Sequence, residues 1–282
     1  MPASPRISFV SALHNCLPLT QAMLRSLENT VSLEDKEIVL VDDRSSDDTP
    51  AFLDDYQKRP NVTVLRNAQN LGFAASNNLG AAASKGDILV LLNNDLELTP
   101  GWLEPMLSLL ESLPDAGAVG NVQRNLETGL VDHAGIFFGL DGMPTHAHKN
   151  RRNPPKGPWI ERNAVTAACM AIRKRDFQSV GGFDESYRNG MEDVDLCMKL
   201  RQAGRRLYVS LESRIGHHIS VSPGRNLNNE RNTEIFRLRW SEFAKPFGKE
   251  EWPREYLRRY ARYWWRMDPP LAAKALFLLL FR

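Results

Sequence analysis

Three short stretches of this chain carry residues whose types and spacing could do chemistry. In "DILVLLNNDLELTP" the aliphatic run Ile88 to Leu92 ends in Asn93-Asn94-Asp95. Such a run reads as a strand buried on both faces, and in an open parallel sheet these strands deliver their C-terminal ends to the ligand crevice. Asp95 at that place is a hard oxygen ligand suited to Mg2+ or Mn2+ beside a diphosphate, whose oxygens complete the octahedron with water. The same three residues also make an ordinary turn. "EIVLVDD" ends a second such strand in Asp42 and Asp43, where a carboxylate can accept from a base N–H or face solvent. "MEDVDL" puts Glu192, Asp193 and Asp195 at a helix start, where the positive end of the helix dipole favours carboxylates, as catalytic groups or as plain caps. Helical neighbours point about 100° apart, so Glu192 and Asp193 cannot do the same job.

Strands and helices must alternate to bring these groups together. "RISFVSA", "KEIVLVDD", "NVTVLRN" and "DILVLL" read as strands. Between them lie three predicted helices. "PLTQAMLRSLENT" has Leu19, Met23, Leu24 and Leu27 on one face, "AFLDDYQKR" follows a Thr49-Pro50 start, and "GFAASNNLGAAAS" is made of small residues. Thr99-Pro100 predicts a similar start for "GWLEPMLSLLES". Strict alternation implies a parallel sheet with right-handed crossovers. Further on, "GAVGNVQ", "LVDHAGIFFGL", "AVTAACMAIRK" and "RRLYVS" read as strands, "THAHKNRRNPPKGPW" as a basic loop, and "EDVDLCMKLRQAG" as a helix ending at Gly204.

Several function classes are disfavoured. No G-x-x-x-x-G-K-[ST] occurs, and "SALHNCLPL" after the first strand contains no glycine, so neither a P-loop nor a dinucleotide fingerprint is present. A nucleotidyltransferase, which wraps phosphates in a glycine-rich loop there, is disfavoured for the same reason. A net charge of +2 does not point to nucleic acid. Cys16, Cys169 and Cys197 are odd in number and in no metal spacing, which predicts free thiols in a reducing compartment. "MPASPRISFV" lacks the apolar core of a signal peptide, so a cytoplasmic start is expected.

"EIVLVDDRSSDDT", "NLGFAASNNLGAAASKGDILVLLNND", "VGGFDESYRNGMEDVDLCMKLRQAG" and "HHISVS" occur in that order. Together they resemble the inverting family-2 glycosyltransferases of the GT-A fold, in the branch of bacterial surface-polysaccharide and rhamnosyl-type enzymes, from about Arg6 to Trp240. The resemblance implies an α/β, Rossmann-like, mostly parallel central sheet flanked by helices, with a helical C-terminal extension. It implies that Asn93-Asn94-Asp95 stands at the family's D-x-D motif, with Asp95 on the metal and Asn93, in place of the first carboxylate, on the ribose or diphosphate. Asn94 falls between them. Asp42 matches the residue that holds the base, with Ala12 and His14 beside it. Gly72 would admit backbone close to the nucleotide, and Asn78 would hold a loop or a phosphate, unless both serve helix packing. The E-D motif makes Asp193 the base and leaves Glu192 to orient the acceptor or a loop. Asp195 would pair with a base such as Arg201 in a structural role. A histidine of the His217-His218 pair completes the metal or diphosphate site, the spacing to Ser220 and Ser222 favouring His217. Arg225 would close over the diphosphate as a lid, and His133, His146 and His148 read as acceptor-side or surface residues.

The expectation is thus a transferase dependent on Mn2+ or Mg2+. It would move a sugar from a UDP- or dTDP-linked donor, rhamnose being compatible, to a glycan or lipid-linked acceptor, with no nucleic-acid partner. A catalytically inactive, membrane-associated sugar-nucleotide-binding module is the alternative. Residues 1–245 would form the transferase domain, with a nucleotide half of about 1–100 and an acceptor half of about 101–245. Residues 246–282 would form a basic, aromatic, amphipathic extension, with Leu257, Tyr260, Tyr263 and Trp264 on one helical face. Such a helix fits the membrane interface from about residue 250 onward, peripheral to the inner face of the cytoplasmic membrane, or docks on the catalytic domain or a second subunit. The apolar end, Leu271 to Phe281, is too short to span a bilayer.

Overall fold

Aliphatic runs and the stretches between them alternate as β1 (Ile7–Leu13), α1 (Leu17–Thr30), β2 (Lys36–Asp42), α2 (Thr49–Tyr56), β3 (Val62–Arg66), α3 (Phe73–Ala83) and β4 (Ile88–Leu92). A computed structural model describes residues 6–218, 227–261 and 263–281. β3, β2, β1 and β4 lie side by side, all parallel. Both faces of this half are covered, which is why its strands are continuously apolar rather than alternating. Phe9, Ile38, Leu40 and Val90 pack towards α1 and its neighbours, while Val10, Val39, Leu89 and Leu91 pack towards α3. The small residues of α3 permit a close approach: a Cβ on Gly80 would collide with Val10.

The chain continues through β5 (Leu96–Leu98), α4 (Glu104–Ser112), β6 (Ala116–Asn125), β7 (Val131–His133), β8 (Ile136–Phe138), β9 (Pro144–His146), β10 (Trp159–Arg162), β11 (Cys169–Arg173), α5 (Lys174–Ser179), α6 (Glu192–Gln202) and β12 (Arg206–His217). β11 runs antiparallel between β4 and β6, and β12 lies parallel to β6. The sheet as a whole is therefore mixed, with its all-parallel part confined to the first half. α4 begins at Glu104 rather than straight after Thr99-Pro100, because Gly101 at φ 76 closes a turn in which Trp102 N donates to the Thr99 carbonyl (3.2 Å). "LVDHAGIFFGL" is two strands, β7 and β8, broken where Gly135 takes φ 87. In α1 the buried set is Thr20, Met23, Leu24 and Leu27, with Leu19 half-exposed.

α7 (Asn229–Tyr260) is continuous across the division expected at 245/246, despite Pro246 and Pro253. It buries Phe236, Trp240, Ala244 and Gly248, one per helical turn, against the sheet-covering layer. A Cβ on Gly248 would collide with the Gly139 carbonyl, so helix and β8–β9 turn touch backbone to backbone. Residues 246–260 thus belong to a helix seated on the transferase body. Tyr263 and Trp264 lie beyond its end rather than on one face with Leu257 and Tyr260: Trp264–Arg266 is a single 3-10 turn. α8 (Pro269–Leu280) follows, capped by Asp268, whose carboxylate accepts from Leu271 N (2.9 Å). Among the described residues no helix is long and apolar enough to cross a membrane.

Candidate active site

Register brings the ends of β1, β2 and β4 to one edge: Leu13 lies opposite Asp42, and Val10 opposite Leu91. Ala12, beside Val41, is the penultimate residue of β1 on this edge. The loops there are cross-tied. Asp42 is 4% exposed, and its Oδ1 accepts from Ser45 N (2.9 Å). Asp43 is the organiser that sequence reasoning left without a role. Its two oxygens accept from Leu71 N (2.7 Å), Gly72 N (2.8 Å) and Asn67 Nδ2 (2.8 Å), fixing the loop into α3. The His14 ring sits on this edge with Nδ1 2.9 Å from the Asp43 carbonyl and 3.2 Å from Asn70 Nδ2, and Nε2 3.3 Å from Asn15 Nδ2.

Gly72, at φ 88, precedes α3 and packs against Arg188, which donates to the Leu71 and Asn70 carbonyls (3.1 and 2.8 Å). Asn78 uses its amide on the segment before α6. It donates to Phe183 O (2.9 Å) and Glu185 Oε1 (3.0 Å) and accepts from Phe183 N (2.9 Å), so of the two roles weighed for it the structure places it on the loop. Asn94 turns away from the crevice to donate to Thr20 Oγ1 of α1 (3.0 Å). Asn93 is held by its own N–H on Ala168 O (2.8 Å), and its buried Oδ1 has no hydrogen-bond partner among the described residues.

The second half of the sheet delivers the remaining groups. β12 pairs antiparallel with β5, placing His217 opposite Leu96. His217 Nε2 is thereby 3.3 Å from Asp95 Oδ1, while His218 contributes its backbone N–H to the Asp95 carbonyl (2.9 Å). Of the two adjacent histidines, His217 is the one whose ring faces the carboxylate. On the far side of that ring, Nδ1 is 3.8 Å from Asp132 Oδ2, and Lys149 Nζ is 3.3 Å from Asp132 Oδ1. Asp95 Oδ1 and both His217 nitrogens are buried without a hydrogen bond among the described residues. A carboxylate oxygen and an imidazole nitrogen facing each other in this way suit a divalent cation of the Mn2+ type. Among the described residues no group of three His, Cys, Asp or Glu side chains forms a ready-made metal cage. Two protein ligands with diphosphate and water completing the sphere is the arrangement that Mg2+ and Mn2+ adopt with phosphate substrates.

α6 starts after Met191, held at φ 73. Glu192 is buried and accepts from Gly190 N (2.6 Å), bracing the turn. Asp193 is half-buried, and its Oδ2 accepts from Ala167 N (3.2 Å). Since the neighbouring Ala168 carbonyl holds Asn93, residues 167–168 join the Asp193 carboxylate to the end of β4. Asp195 points into the core. It takes Trp240 Nε1 (2.7 Å), Arg239 (3.0 Å) and Lys199 (2.8 Å), whereas Arg201, expected as its partner, pairs with Glu161 (3.2 Å). Arg225 lies outside the described residues, as do Ser220 and Ser222.

Asp132 is a group that sequence reasoning missed, and of the two alternatives given for His133 and His146, acceptor-side or surface, burial disfavours the surface. His133 is buried, and its ring stands edge-on to His146 at 5.1 Å. Burial pushes both imidazoles below the usual histidine range. The one available signal was an Asp-His pair inside the otherwise apolar "LVDHAGIFF". His148 is buried as well, beside α7. Burial first, then the Arg162, Arg258 and Arg151 charges, bring its pKa down to about 4 against the opposing pull of Glu255.

That shift has a sign. An unfolded histidine takes up its proton near pH 6.5 and folded His148 only near 4, so between these values the unfolded chain binds more protons. His148 therefore makes stability fall as pH drops through that window. His148→Asn, which suits the residue's φ of 60, should reduce the pH slope by up to about one proton. Urea melts at a series of pH values measure it, and an unchanged slope would show that His148 is not held neutral.

Comparison with known proteins gives a consistent picture. Residues 8–181 match the family described as Glycosyl transferase family 2. The chain is 31% identical over 234 residues to the O-antigen biosynthesis protein RfbC of Myxococcus xanthus, covering 78% of this chain and 18% of that protein. It is 29% identical over 217 residues to an N-acetylglucosaminyl-diphospho-decaprenol L-rhamnosyltransferase of Mycobacterium tuberculosis, covering 67% of this chain and 68% of that one. The chain spans less than a third of the length of the two relatives that it matches at 31% identity. Among solved structures, GalNAc-T7 with UDP, GalNAc and Mn2+ superposes with a TM-score of 0.67 at 21% identity, over 82% of this chain and 48% of that one. The mannosyltransferase PcManGT from Pyrobaculum calidifontis, in complex with GDP-Man and Mn2+, gives 0.57 at 17%, over 98% and 81%. These structures share the GT-A fold with this chain.

Proposed function

The chain belongs to glycosyl transferase family 2, and from that premise we propose that it is a metal-dependent, inverting transferase acting on a nucleoside-diphosphate sugar. The observation that carries this reading is the buried pair Asp95 Oδ1 and His217 Nε2, 3.3 Å apart and without hydrogen bonds among the described residues, at the edge where β1, β2 and β4 end. The fold neighbours are named with UDP and GalNAc in one case and with GDP-Man in the other, and the named rhamnosyltransferase relative supports a deoxyhexose. We assign a UDP- or dTDP-sugar donor and a glycan or lipid-linked acceptor in surface-polysaccharide assembly.

In this reading Asp42, with Ala12 and His14, receives the base, and Asn93 contacts the ribose or diphosphate. Asp95 and His217 would hold the Mn2+ or Mg2+, which when bound neutralises the leaving diphosphate. Asp193, held on the Ala167 N–H, takes the proton of the acceptor hydroxyl as its oxygen bonds to the anomeric carbon from the side opposite the diphosphate. The bond from that carbon to the diphosphate breaks, and the sugar is transferred with inversion. Glu192 keeps the turn before α6 in place, so that Asp193 faces the crevice while Asp195 faces the core. Functionally, residues of about 1–100 serve the donor and those of about 101–245 the acceptor. Of the stretch 250–282, the part beyond α7, with Trp264 and Trp265 exposed, contacts a membrane surface on the cytoplasmic side.

Calorimetric titration of UDP, dTDP and GDP, with and without Mn2+, tests the assignment. One nucleotide should bind in a Mn2+-dependent manner, and Asp95→Ala should abolish that dependence. Folded protein that binds none of the three would sink the reading.

A further inference from the structure

The loop 149–153 and the end of α7 enclose an open cleft of about 590 Å3 that belongs to neither the donor crevice nor the sheet. Its lining carries Lys149, Arg151, Arg152, Arg258 and Arg259 together with Tyr263, and no acidic residue. Lys149 and Arg258 have carboxylate partners behind the wall, Asp132 and Glu255. Arg152 and Arg259 are exposed and make no ion pair among the described residues. The three arginines without a carboxylate partner among the described residues, Arg151, Arg152 and Arg259, share one concave surface and are better accommodated with an anion between them, and the guanidinium fork matches the oxygens of a phosphate.

Two neighbours of the cleft narrow the ligand. On one side Tyr263 touches Trp265 at 5.5 Å and Trp265 touches Trp264, 70% exposed, at 6.3 Å, while Phe277 and Leu280 of the following α8 are exposed as well. On the other side the wall leads to the transfer site through three contacts: Lys149 to Asp132 (3.3 Å), Asp132 to His217 (3.8 Å) and His217 to Asp95 (3.3 Å). A ligand that used the charge and both of these neighbours would be anionic in the middle, with an apolar end by the exposed tryptophans and its other end directed, past Lys149, towards the reacting centre.

We propose that this cleft binds the phosphate or diphosphate of a lipid-linked acceptor, an assignment that rests on the transferase reading above. Arg152 and Arg259 take the phosphate oxygens. The lipid chain lies along the Trp264–Trp265 and α8 surface towards the bilayer, and the attached sugar extends past Lys149 to Asp193. A free glycan would use neither the charge nor the apolar surface. Bilayer headgroups alone would need no concave site next to the catalytic residues.

Co-sedimentation with phosphatidylcholine vesicles doped with a polyprenyl diphosphate tests this, alongside vesicles given the same surface charge by phosphatidylglycerol. The wild type should prefer the polyprenyl diphosphate, and Arg152→Glu with Arg259→Glu should weaken that binding by about tenfold or more, the loss of one or two charge-assisted hydrogen bonds. Trp264→Ser with Trp265→Ser should weaken vesicle binding while leaving binding of inorganic diphosphate, which has no chain to lie on that surface, unchanged. Equal binding to both vesicle types would overturn the proposal, because the cleft would then read only surface charge. Unchanged binding by the Arg152 and Arg259 variant would overturn it too. The nucleotide titration, run on the same variants, should match wild type. If vesicle binding fails while nucleotide binding persists, this inference falls alone; if nucleotide binding is absent from the wild type, the transferase reading falls first.

Discussion

Asp193→Asn should lower kcat by about 10^2- to 10^4-fold, the range that removal of a general base produces. The substitution preserves size and leaves an oxygen able to accept from one of the two backbone N–H groups now bound, Ala167 (3.2 Å) or Val194 (2.8 Å). Neither the start of α6 nor the donor site should move. Nucleotide affinity, and its dependence on Mn2+, should therefore match wild type while turnover collapses. That split separates a base from a residue that merely supports the donor pocket. A kcat within about tenfold of wild type would place the proton elsewhere, with His146, close enough to Asp193 to feel its charge, as the next residue to replace.

The largest expected loss of stability comes two residues away. Asp195 is fully buried and gathers Trp240 Nε1, Arg239 and Lys199, so it ties α6 to α7. Asp195→Ala strands the indole N–H in the interior and removes the partner of two cations. Breaking a buried charged network by deleting one member costs about 3–5 kcal/mol. Here the lower end applies, because Lys199 and Arg239 retain access to solvent and can recover water. The urea midpoint should fall by the corresponding amount with an unchanged denaturant slope, and kcat per folded molecule should stay close to wild type. A loss of activity without a loss of stability would move Asp195 into the site and out of the core.

Those neighbours show where sequence and structure divide the work. "MEDVDL" presents three carboxylates that are equivalent as letters. Helical geometry separates Glu192 from Asp193, but only the position of α7, whose Trp240 lies 45 residues further on, decides that Asp195 turns inward. The adjacent His217 and His218 are likewise equivalent until β12 pairs with β5, when alternation along the strand sends one ring to Asp95 and leaves the other residue a backbone contact.

The local periods were legible in the chain of residues alone. Continuous aliphatic runs between caps and turns specified the parallel half of the sheet, because burial on both faces leaves that mark in consecutive residues. The order of short motifs specified the family, and with it the places of Asp42, Asp95 and the acids of α6. Roles that depend on long-range neighbours were fixed by packing. Asn78 became a loop clamp, Asn94 turned to Thr20, and Asp43 came to hold the loop into α3. Asp132 and His133 came to lie behind the site because β7 pairs with β6, and the helix crossing residue 245 found its seat because Gly248 meets Gly139. The physical reason is common to all of these. Hydrophobic period and turn preference are encoded in adjacent residues, whereas a polar side chain's role is set by whichever partner satisfies it, and in a mixed sheet that partner usually comes from a distant strand or helix.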